Sequence, residues 1–430
     1  MAETKNWKKN ITLFLTGQAV SLLGSSLVQY AIIWYVAKET RSGVMLMLMT
    51  ICGFLPQVLI SIFAGVWADR FSRKKLIIFA DAGIAVSTLV LAFIIMNSRD
   101  FFWALLVISA IRSVGAGIQT PAVNAAIPQL VPMDKLMKVG GINSSVQSVI
   151  NLVAPAVGGA VLSMGAFHYV MFIDAATAAV GITILGFFVP LPKLERQAGQ
   201  ALPGYFDDLK EGVSYALGHR FLRRTLMVCG IFCFLIVPAA LLSDLFVVRI
   251  FGDIFPENSY LALTINAMAF FAGAIAGGVV LGVWGGFPNR LKTLALGGVA
   301  FGITTIGIGV VQSFWIYIAV IFLAGFGMPF NNSPLMVMLQ EKVEPEKQGR
   351  VFSLLQIVTI LVMQIGIAVF GPLADTVPIQ WLMIGSGIGL LVMTAAILSW
   401  KSFYREGVTL AVSPGGANQG IEATDDRFEL

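Results

Sequence analysis

Long apolar segments separated by short polar stretches dominate the pattern of this chain. A helix needs roughly 20 residues to cross the hydrocarbon core of a bilayer. Twelve segments reach that length, and they cover residues 12–37, 44–67, 76–96, 101–123, 138–162, 168–189, 224–248, 260–283, 292–311, 314–336, 350–372 and 379–400. The first follows three lysines, but its apolar core is too long for a signal peptide and no small-residue cleavage site follows it. We therefore expect it to be a membrane span.

Composition supports this interpretation. Hydrophobic residues make up 57% of the 430 residues, and charged residues make up only 12%. The mean hydropathy is +0.85, whereas about a quarter of the residues in a soluble domain are charged. The sequence predicts an all-α integral membrane protein with twelve transmembrane helices.

The distribution of Lys and Arg predicts the orientation, because cationic loops stay in the cytoplasm. If the N-terminus is cytoplasmic, 23 of the 28 cations lie on the cytoplasmic side, four lie outside, and Arg112 lies within a span. Both termini of this cell-membrane protein are therefore predicted to be cytoplasmic. The net charge of +5 reflects this topology, and we expect no nucleic-acid partner.

A long polar interruption divides the spans into two groups of six. The predicted organisation is a cytoplasmic N-terminus (1–11), a first six-helix bundle (12–189), a cytoplasmic linker (190–223), a second six-helix bundle (224–400) and a disordered cytoplasmic tail (401–430). In the linker, four apolar residues recur at helical spacing, which predicts an amphipathic helix on the membrane surface. They are Phe206, Leu209, Val213 and Leu217.

The two halves also resemble each other in sequence. Gly65-Val66-Trp67 recurs as Gly282-Val283-Trp284, and Arg73 and Lys75 fall on Arg290 and Lys292 at the same offset. Such repeats predict two pseudo-symmetric bundles with a substrate site at their interface near the middle of the membrane.

The loop after the second span contains one acid followed by four bases. We predict that Asp69, Arg70, Arg73 and Lys74 form a charge latch that gates the cytoplasmic side, because a carboxylate can cap a helix or pair with arginines. The alternative is that the cations only anchor the topology. The loop resembles the Gly-x-x-x-Asp-Arg/Lys-x-Gly-Arg/Lys-Arg/Lys motif of the major facilitator superfamily, with Ser72 at the second glycine. This resemblance implies the major facilitator fold.

Arg112 lies near mid-depth of the fourth span, where an unpaired cation is costly, so it must face a partner or water. Of the intramembrane acids Asp81, Asp174 and Asp244, we expect Asp81 to be its partner, by depth and adjacency. The run from Arg112 to Gly115 resembles the fourth-helix motif of the family, which implies proton coupling through Arg112 and these acids. The alternative is a structural ion pair.

The fifth span resembles the Gly-Pro-x-x-Gly-Gly motif of exporters in this superfamily, with Ala154 in place of the first glycine. Pro155 removes a backbone hydrogen bond, and Gly158 and Gly159 allow close packing. The motif predicts a pliable gating hinge at these three residues, with ordinary membrane packing as the alternative.

Polar residues inside the spans follow helical stripes. Gln18, Ser21, Ser25 and Gln29 are spaced by 3, 4 and 4 in the first span, and Asn143, Gln147 and Asn151 are spaced by 4 in the fifth. Later spans add Asn266, Asn331, Asn332, Ser353, Gln356 and Gln364. Such faces turn away from lipid. They predict a cavity for a large amphipathic cargo, although interhelical hydrogen bonding would give a similar pattern.

The resemblance narrows to the bacterial macrolide efflux proteins from about Trp7 to Lys401. It rests on the runs Gly17–Leu22, Gly53–Pro56, Pro121–Ala125, Gly282–Phe287, Gln340–Pro345 and Gly349–Leu354. It implies export of macrolide-type antibiotics or similar amphipathic drugs by proton antiport. The alternatives are a siderophore exporter, a lysophospholipid flippase, or a membrane partner subunit that does not itself transport.

An enzyme is not expected. The chain has two histidines and three cysteines, without the spacing of a metal site. The stretch from Gly286 to Thr293 has Leu291 where a phosphate-binding loop needs glycine. We expect no cofactor and no metal, and energy from the proton gradient. The predicted partners are the drug, protons and the bilayer, and no oligomer is required.

Overall fold

A computed structural model describes residues 6–98, 101–164, 167–191, 213–255, 259–401 and 404, with only the backbone described at 62, 65, 66, 68–70, 345 and 346. The predicted linker and tail lie largely outside the described residues. Within the linker, residues 213–218 are helical.

Six long helices form the first half. They are α1 (Trp7–Thr40), α2 (Gly43–Arg70), α3 (Arg73–Asn97), α4 (Phe102–Leu130), α5 (Leu136–Ser163) and α6 (Phe167–Thr183). A short 3₁₀ helix, Met133–Lys135, precedes α5, and a π-helical turn, Ile184–Phe188, extends α6.

The second half contains eight described helices. They are α7 (Arg220–Leu235), α8 (Val237–Leu241), α9 (Ser243–Phe251), α10 (Ser259–Trp284), α11 (Arg290–Val310), α12 (Phe314–Lys342), α13 (Pro345–Thr376) and α14 (Ile379–Ser399).

The predicted all-α membrane fold is confirmed, with one difference in the second half. Eleven described helices are long and apolar enough to cross a membrane, and the remaining predicted span, 224–248, is divided among α7, α8 and α9. Pro238 has no backbone N–H and interrupts the helical hydrogen bonds there. The i to i−4 bonds nevertheless continue across both junctions, from Ile236 N to Phe232 O (2.9 Å) and from Phe246 N to Leu242 O (2.9 Å). These helices therefore form one span that is interrupted near Pro238.

Successive helices run in opposite directions, so the connections between them lie at two ends of the molecule. We call the end where α2 meets α3 the cationic end, because most of the Lys and Arg fall there. We call the end where α1 meets α2 the opposite end.

The two halves pack in related ways. In the first half α1 packs on α5 and α6, and α4 packs on α2 and α3; in the second half α12 packs on α10 and α11, and α11 packs on α14. The halves meet along two helix pairs, α2 with α13 and α5 with α10. These pairs are the second and eleventh spans and the fifth and eighth spans, as pseudo-symmetric bundles require.

Buried apolar side chains show where the halves are in contact. The largest cluster, near the opposite end, contains residues of both halves, including Trp34, Phe246 and Tyr317. At the cationic end, one cluster around Phe14 and Ile77 lies within the first half, and another around Leu291 and Met338 lies within the second half. The halves are therefore joined at the opposite end and have separate cores at the cationic end.

Candidate functional site

At the opposite end, Asp375 of α13 binds the N-terminus of α2. Its carboxylate accepts hydrogen bonds from the backbone N of Gly43 (2.7 Å) and of Val44 (3.0 Å), and from Oγ of Ser42 (2.7 Å). A carboxylate at a helix N-terminus satisfies free N–H groups and the positive end of the helix dipole. This cap connects the two halves.

Arg249 of α9 completes the same contact. It donates to Asp375 Oδ1 (2.5 Å), to the carbonyl of Arg41 through Nε (2.9 Å), and to the carbonyl of Ala374. The guanidinium group therefore holds α9, the end of α1 and the end of α13 together. We call Ser42, Gly43, Arg249 and Asp375 the opposite-end latch.

A buried polar chain links the halves deeper in the membrane. Trp34 of α1 donates from Nε1 to Asp244 Oδ2 (3.2 Å), and Asn266 of α10 donates to Oδ1 (3.3 Å). Tyr317 of α12 donates in turn to Asn266 Oδ1 (2.9 Å). Hydrogen bonds between helices therefore hold the side chains of Asp244 and Asn266 in place.

A cavity of about 560 Å³ lies between the halves, along the α2 and α13 interface. Its walls combine apolar side chains with amides and hydroxyls, and no charged residue is among the described residues that line it. Its polar lining residues are Thr50, Gln57, Ser61, Thr120, Asn124, Ser353, Gln356 and Gln364. Oε1 of Gln364 is buried and has no hydrogen-bond partner among the described residues.

Two further cavities adjoin this central cavity. A small one of about 80 Å³, which we call the amide pocket, contains Gln18, Gln119, Asn143 and Gln147 and shares Thr120 and Asn124 with the central cavity. A second one of about 620 Å³ lies within the second half, contains Asn331 and Asn332, and shares Gln356 with the central cavity.

The structure thus places five of the predicted substrate-binding residues at cavities: Gln18, Asn143, Gln147, Asn332 and Gln356. The other five lie elsewhere. Ser21 is buried against Gly181 of α6, and Nε2 of Gln29 lies near Gly53 of α2.

The remaining three have different surroundings. Ser25 donates to Asp174 Oδ1 (3.1 Å). Asn266 belongs to the buried chain of Asp244, and Asn151 is exposed. For Ser25 and Asn266, interhelical hydrogen bonding explains the polar pattern.

Arg112 pairs with Asp174 rather than with Asp81, so that expectation was wrong. The Arg112 Nη1 to Asp174 Oδ2 distance is 2.5 Å, and both side chains are buried. Thr88 lies against Arg112 and donates to the same carboxylate oxygen (3.0 Å), and Arg112 also donates to the carbonyl of Ser25 (3.2 Å). α3 packs against both α4 and α6. Asp174 of α6 therefore reaches Arg112 of α4 beside Thr88 of α3.

Asp81 has a different environment. It is 2% exposed and accepts a hydrogen bond from Nε2 of Gln119 (2.6 Å), which also reaches Gln18 Oε1 (3.5 Å). Its Oδ2 is buried without a hydrogen-bond partner among the described residues. Through Gln119 the carboxyl group of Asp81 is connected to the amide pocket.

The structure describes part of the predicted gate at the cationic end. Nη1 of Arg73 donates to the carbonyl of Ala125 (2.6 Å), and Nζ of Lys74 donates to the carbonyl of Val189 (3.0 Å). Both bonds hold α3 within the first half. The side chains of Asp69 and Arg70 lie outside the described part of the structure, so the charge latch at the cationic end stays a prediction.

The predicted hinge lies at the contact between halves. Pro155 is within α5, Gly158 faces Leu27 of α1, and Gly159 faces Thr264 of α10. A Cβ atom on Gly159 would overlap Thr264, so only glycine fits there without a shift.

Sequence reasoning missed several residues of the site. Gln119 lies seven residues after Arg112, on the same face of α4, and this spacing could have identified it. Gln57 and Asn124 are isolated polar residues in apolar spans. The latch residues Arg249 and Asp375 carried no local signal, because their partners are far away along the chain.

Two helix bundles with a cavity between them are the architecture of a membrane transporter. The chain matches the Major Facilitator Superfamily over residues 14–253 and 256–419, and it belongs to this family. It is a multi-pass membrane transporter and not an enzyme.

Among its relatives, Macrolide efflux protein A of Streptococcus pyogenes is 30% identical over 402 residues, covering 93% of this chain and 97% of that protein. An enterobactin exporter of Escherichia coli O81 is 27% identical over 345 residues, covering 78% of each chain. The crystal structure of a nucleoside transporter has a TM-score of 0.70 at 14% identity, covering 92% of this chain and 99% of that one. The similarity to the nucleoside transporter shows that the two proteins share a fold.

Proposed function

We propose that the chain exports macrolide-type or similar amphipathic drugs from the bacterial cell by proton antiport and alternating access. The observation that carries this proposal is the central cavity between the halves, with its mixed apolar and amide walls. The relationship to Macrolide efflux protein A supports the same cargo class.

The distribution of charge supports a cytoplasmic position for the cationic end and both termini. In that orientation the opposite-end latch closes the extracellular side, and the separate cores at the cationic end allow the halves to part toward the cytoplasm. Cargo then enters from the cytoplasm or the inner leaflet. Opening of the opposite-end latch would release the cargo to the extracellular side.

The cavity lining favours a large cargo without a strong charge. Phe54 and Met363 supply apolar surface, whereas Gln57, Gln356 and Gln364 supply amide groups. Amides and hydroxyls orient a ligand that has many ether, ester and hydroxyl oxygens, and the apolar walls bind its hydrocarbon portion. The described residues that line the central cavity offer no positively charged side chain to an anionic cargo.

We assign proton transport to Asp81. Asp174 already pairs with Arg112 and accepts bonds from two hydroxyl groups, so it acts as a structural partner. Asp81 forms no salt bridge among the described residues, and the side chains that hydrogen-bond to it, Gln119 and Ser21, are both neutral. Gaining or losing a proton at Asp81 would change the hydrogen bonding of Gln119 and therefore the amide pocket.

The test is accumulation of a radiolabelled macrolide in drug-sensitive bacterial cells, with and without a protonophore. Cells that express the wild type should accumulate less drug than cells without the protein, and the protonophore should abolish this difference. Asp81→Asn should abolish it as well, whereas Asp134→Asn, at an exposed acid of the cationic end, should behave as the wild type. Equal export by Asp81→Asn would refute the assignment of the proton to this residue.

A second candidate is siderophore export, which the enterobactin exporter supports as a relative. If macrolide accumulation is unchanged in cells with well-inserted protein, drug export is refuted, and siderophore release should be measured next. Lipid movement without a proton requirement would identify a lysophospholipid flippase. No transport in either assay would favour the partner subunit.

A further inference from the structure

A groove of about 1170 Å³ separates α1 from α5 in the half of the membrane next to the cationic end. Closer to the opposite end the two helices touch, where a Cβ on Gly158 would lie 3.6 Å from Cδ2 of Leu27. The described lining of the groove extends toward Trp7 and Leu136, where the two helices begin. The groove therefore reaches the cationic end of the molecule.

The described residues that line this groove all belong to the first half. On α5 it is lined by Ile142, Ser145 and Val149, which share one face of the helix. Asn151 lies on roughly the opposite side of α5, because each residue advances by about 100°. Ile142 is 46% exposed and Val149 is 58% exposed. Exposed apolar side chains on a membrane-spanning helix contact lipid.

The groove is positively charged where it reaches the cationic end of the molecule. Lys8 of α1, and Lys135 and Lys138 at the start of α5, all line it. Asp134 forms a salt bridge with Lys135 (2.9 Å) and offsets part of this charge. The N-termini of α1 and α5 both lie here, and each adds partial positive charge. The groove therefore joins an apolar wall to a cationic mouth at the depth of the membrane surface.

We propose that the groove between α1 and α5 binds one anionic phospholipid of the leaflet at the cationic end. The headgroup phosphate lies among Lys8, Lys135 and Lys138, and an acyl chain lies along the apolar wall of Leu15, Ala19, Val149 and their neighbours. Basic pockets between transmembrane helices are suited to such headgroups. A zwitterionic lipid would leave the excess positive charge without a partner.

The bound lipid would lie next to the amide pocket. Leu15, Ala19 and Val146 line the groove on one side and the amide pocket on the other, so a single layer of side chains separates the two. The lipid therefore packs against the outer surface of that wall. Its binding does not depend on which cargo the protein carries.

The test is native mass spectrometry of the purified full-length protein with phosphatidylglycerol or with phosphatidylcholine of identical acyl chains. The wild type should retain one phosphatidylglycerol in preference to phosphatidylcholine. Replacing Lys8, Lys135 and Lys138 together with Gln should reduce this preference by roughly tenfold or more, because each lysine near the headgroup contributes to anion binding.

A matched control removes the same charge from the same end. Lys75, Lys292 and Lys401 lie at the cationic end but not among the described lining residues of the groove, and their replacement with Gln should leave the preference unchanged. Equal losses in the two triple variants would show general attraction to a cationic surface and would overturn the proposal. Absence of a preference in the wild type would overturn it as well.

A second pair of variants tests the location without changing charge. Ser145→Trp fills the groove and should displace the lipid, whereas Val180→Trp places the same side chain on an exposed position of α6 and should not. Retention of phosphatidylglycerol by Ser145→Trp, at wild-type preference, would overturn the proposal. Circular dichroism and elution volume verify that each variant is folded.

Discussion

Replacing Gly159 by alanine tests whether the contact between α5 and α10 holds the opposite end closed. An added Cβ would overlap Oγ1 of Thr264 and would lie 3.0 Å from its Cβ and 3.2 Å from its Cγ2. Thr264 has a stiff, β-branched side chain, and its hydroxyl donates to the carbonyl of Tyr260 (2.9 Å). Thr264 can therefore make room for the added methyl group only if α5 and α10 separate.

The expected magnitude follows from the overlap. Inserting a methyl group into a packed contact costs about 1–3 kcal/mol. Under alternating access the two helices meet here only while the opposite end is closed, so the cost falls on that state alone. The equilibrium should shift roughly 5-fold to 150-fold toward the state that is open at the opposite end.

Double electron–electron resonance can measure this shift, with spin labels at one exposed position in each half. Trp103 of α4 and Trp315 of α12 are exposed at the opposite end, so labels there should move apart in Gly159→Ala. The labels require a background in which the three native cysteines have been replaced, and transport by that background must first be verified.

Two variants make the result specific. Gly158→Ala adds the same methyl group at ordinary contact distance, 3.6 Å from Leu27, and should keep the wild-type distances. Combining Gly159→Ala with Thr264→Ala removes the overlapping atoms and should restore the closed state. An unchanged distance distribution in Gly159→Ala alone would refute the reasoning.

Three other predictions address single contacts. Asp375→Asn weakens the latch with Arg249 and should favour opening by about 1.5–3 kcal/mol, since hydrogen bonds to charged groups contribute that much; wild-type label distances at the opposite end would contradict this. Asp174→Asn leaves Arg112 buried without its carboxylate and should reduce the unfolding free energy in detergent by about 3–5 kcal/mol, and an unchanged thermal midpoint would argue against the pair. Gln356→Leu should alter the ranking of drugs in a susceptibility panel, and the same ranking as in the wild type would place cargo elsewhere.

Several features of the protein could be predicted from the sequence because they depend on local pattern. Apolar length determines which segments can cross a bilayer, and Lys and Arg counts predict their direction. The offset repeat from Gly65 to Gly282 indicated two similar halves. The pattern predicted one continuous helix for the seventh span, and the structure divides this span near Pro238.

The partner of Arg112 could not be predicted in this way. The sequence shows that a cation lies at mid-depth and must be satisfied, because an unpaired charge is costly there. It does not show the rotation of α4 or which neighbour packs beside it. The tertiary packing selected Asp174 on α6 and left Asp81 to Gln119.

The same limit applies to the polar stripe of α1. Gln18 and Ser25 share a helix face by spacing, yet Gln18 lines the amide pocket and Ser25 donates to Asp174. Helical periodicity identifies a face that avoids lipid, but a cavity and a neighbouring helix both satisfy that requirement. Only the arrangement of the surrounding helices distinguishes them.

The sequence by itself determined the class of molecule: the spans, their two groups and the polar faces that must avoid lipid. The tertiary structure decided which end is closed and by which residues. Asp375 and Gly43 are 332 positions apart, and Arg249 joins them from a third helix. Hydrophobicity acts on each segment independently, whereas a latch or cavity exists only where separate segments meet.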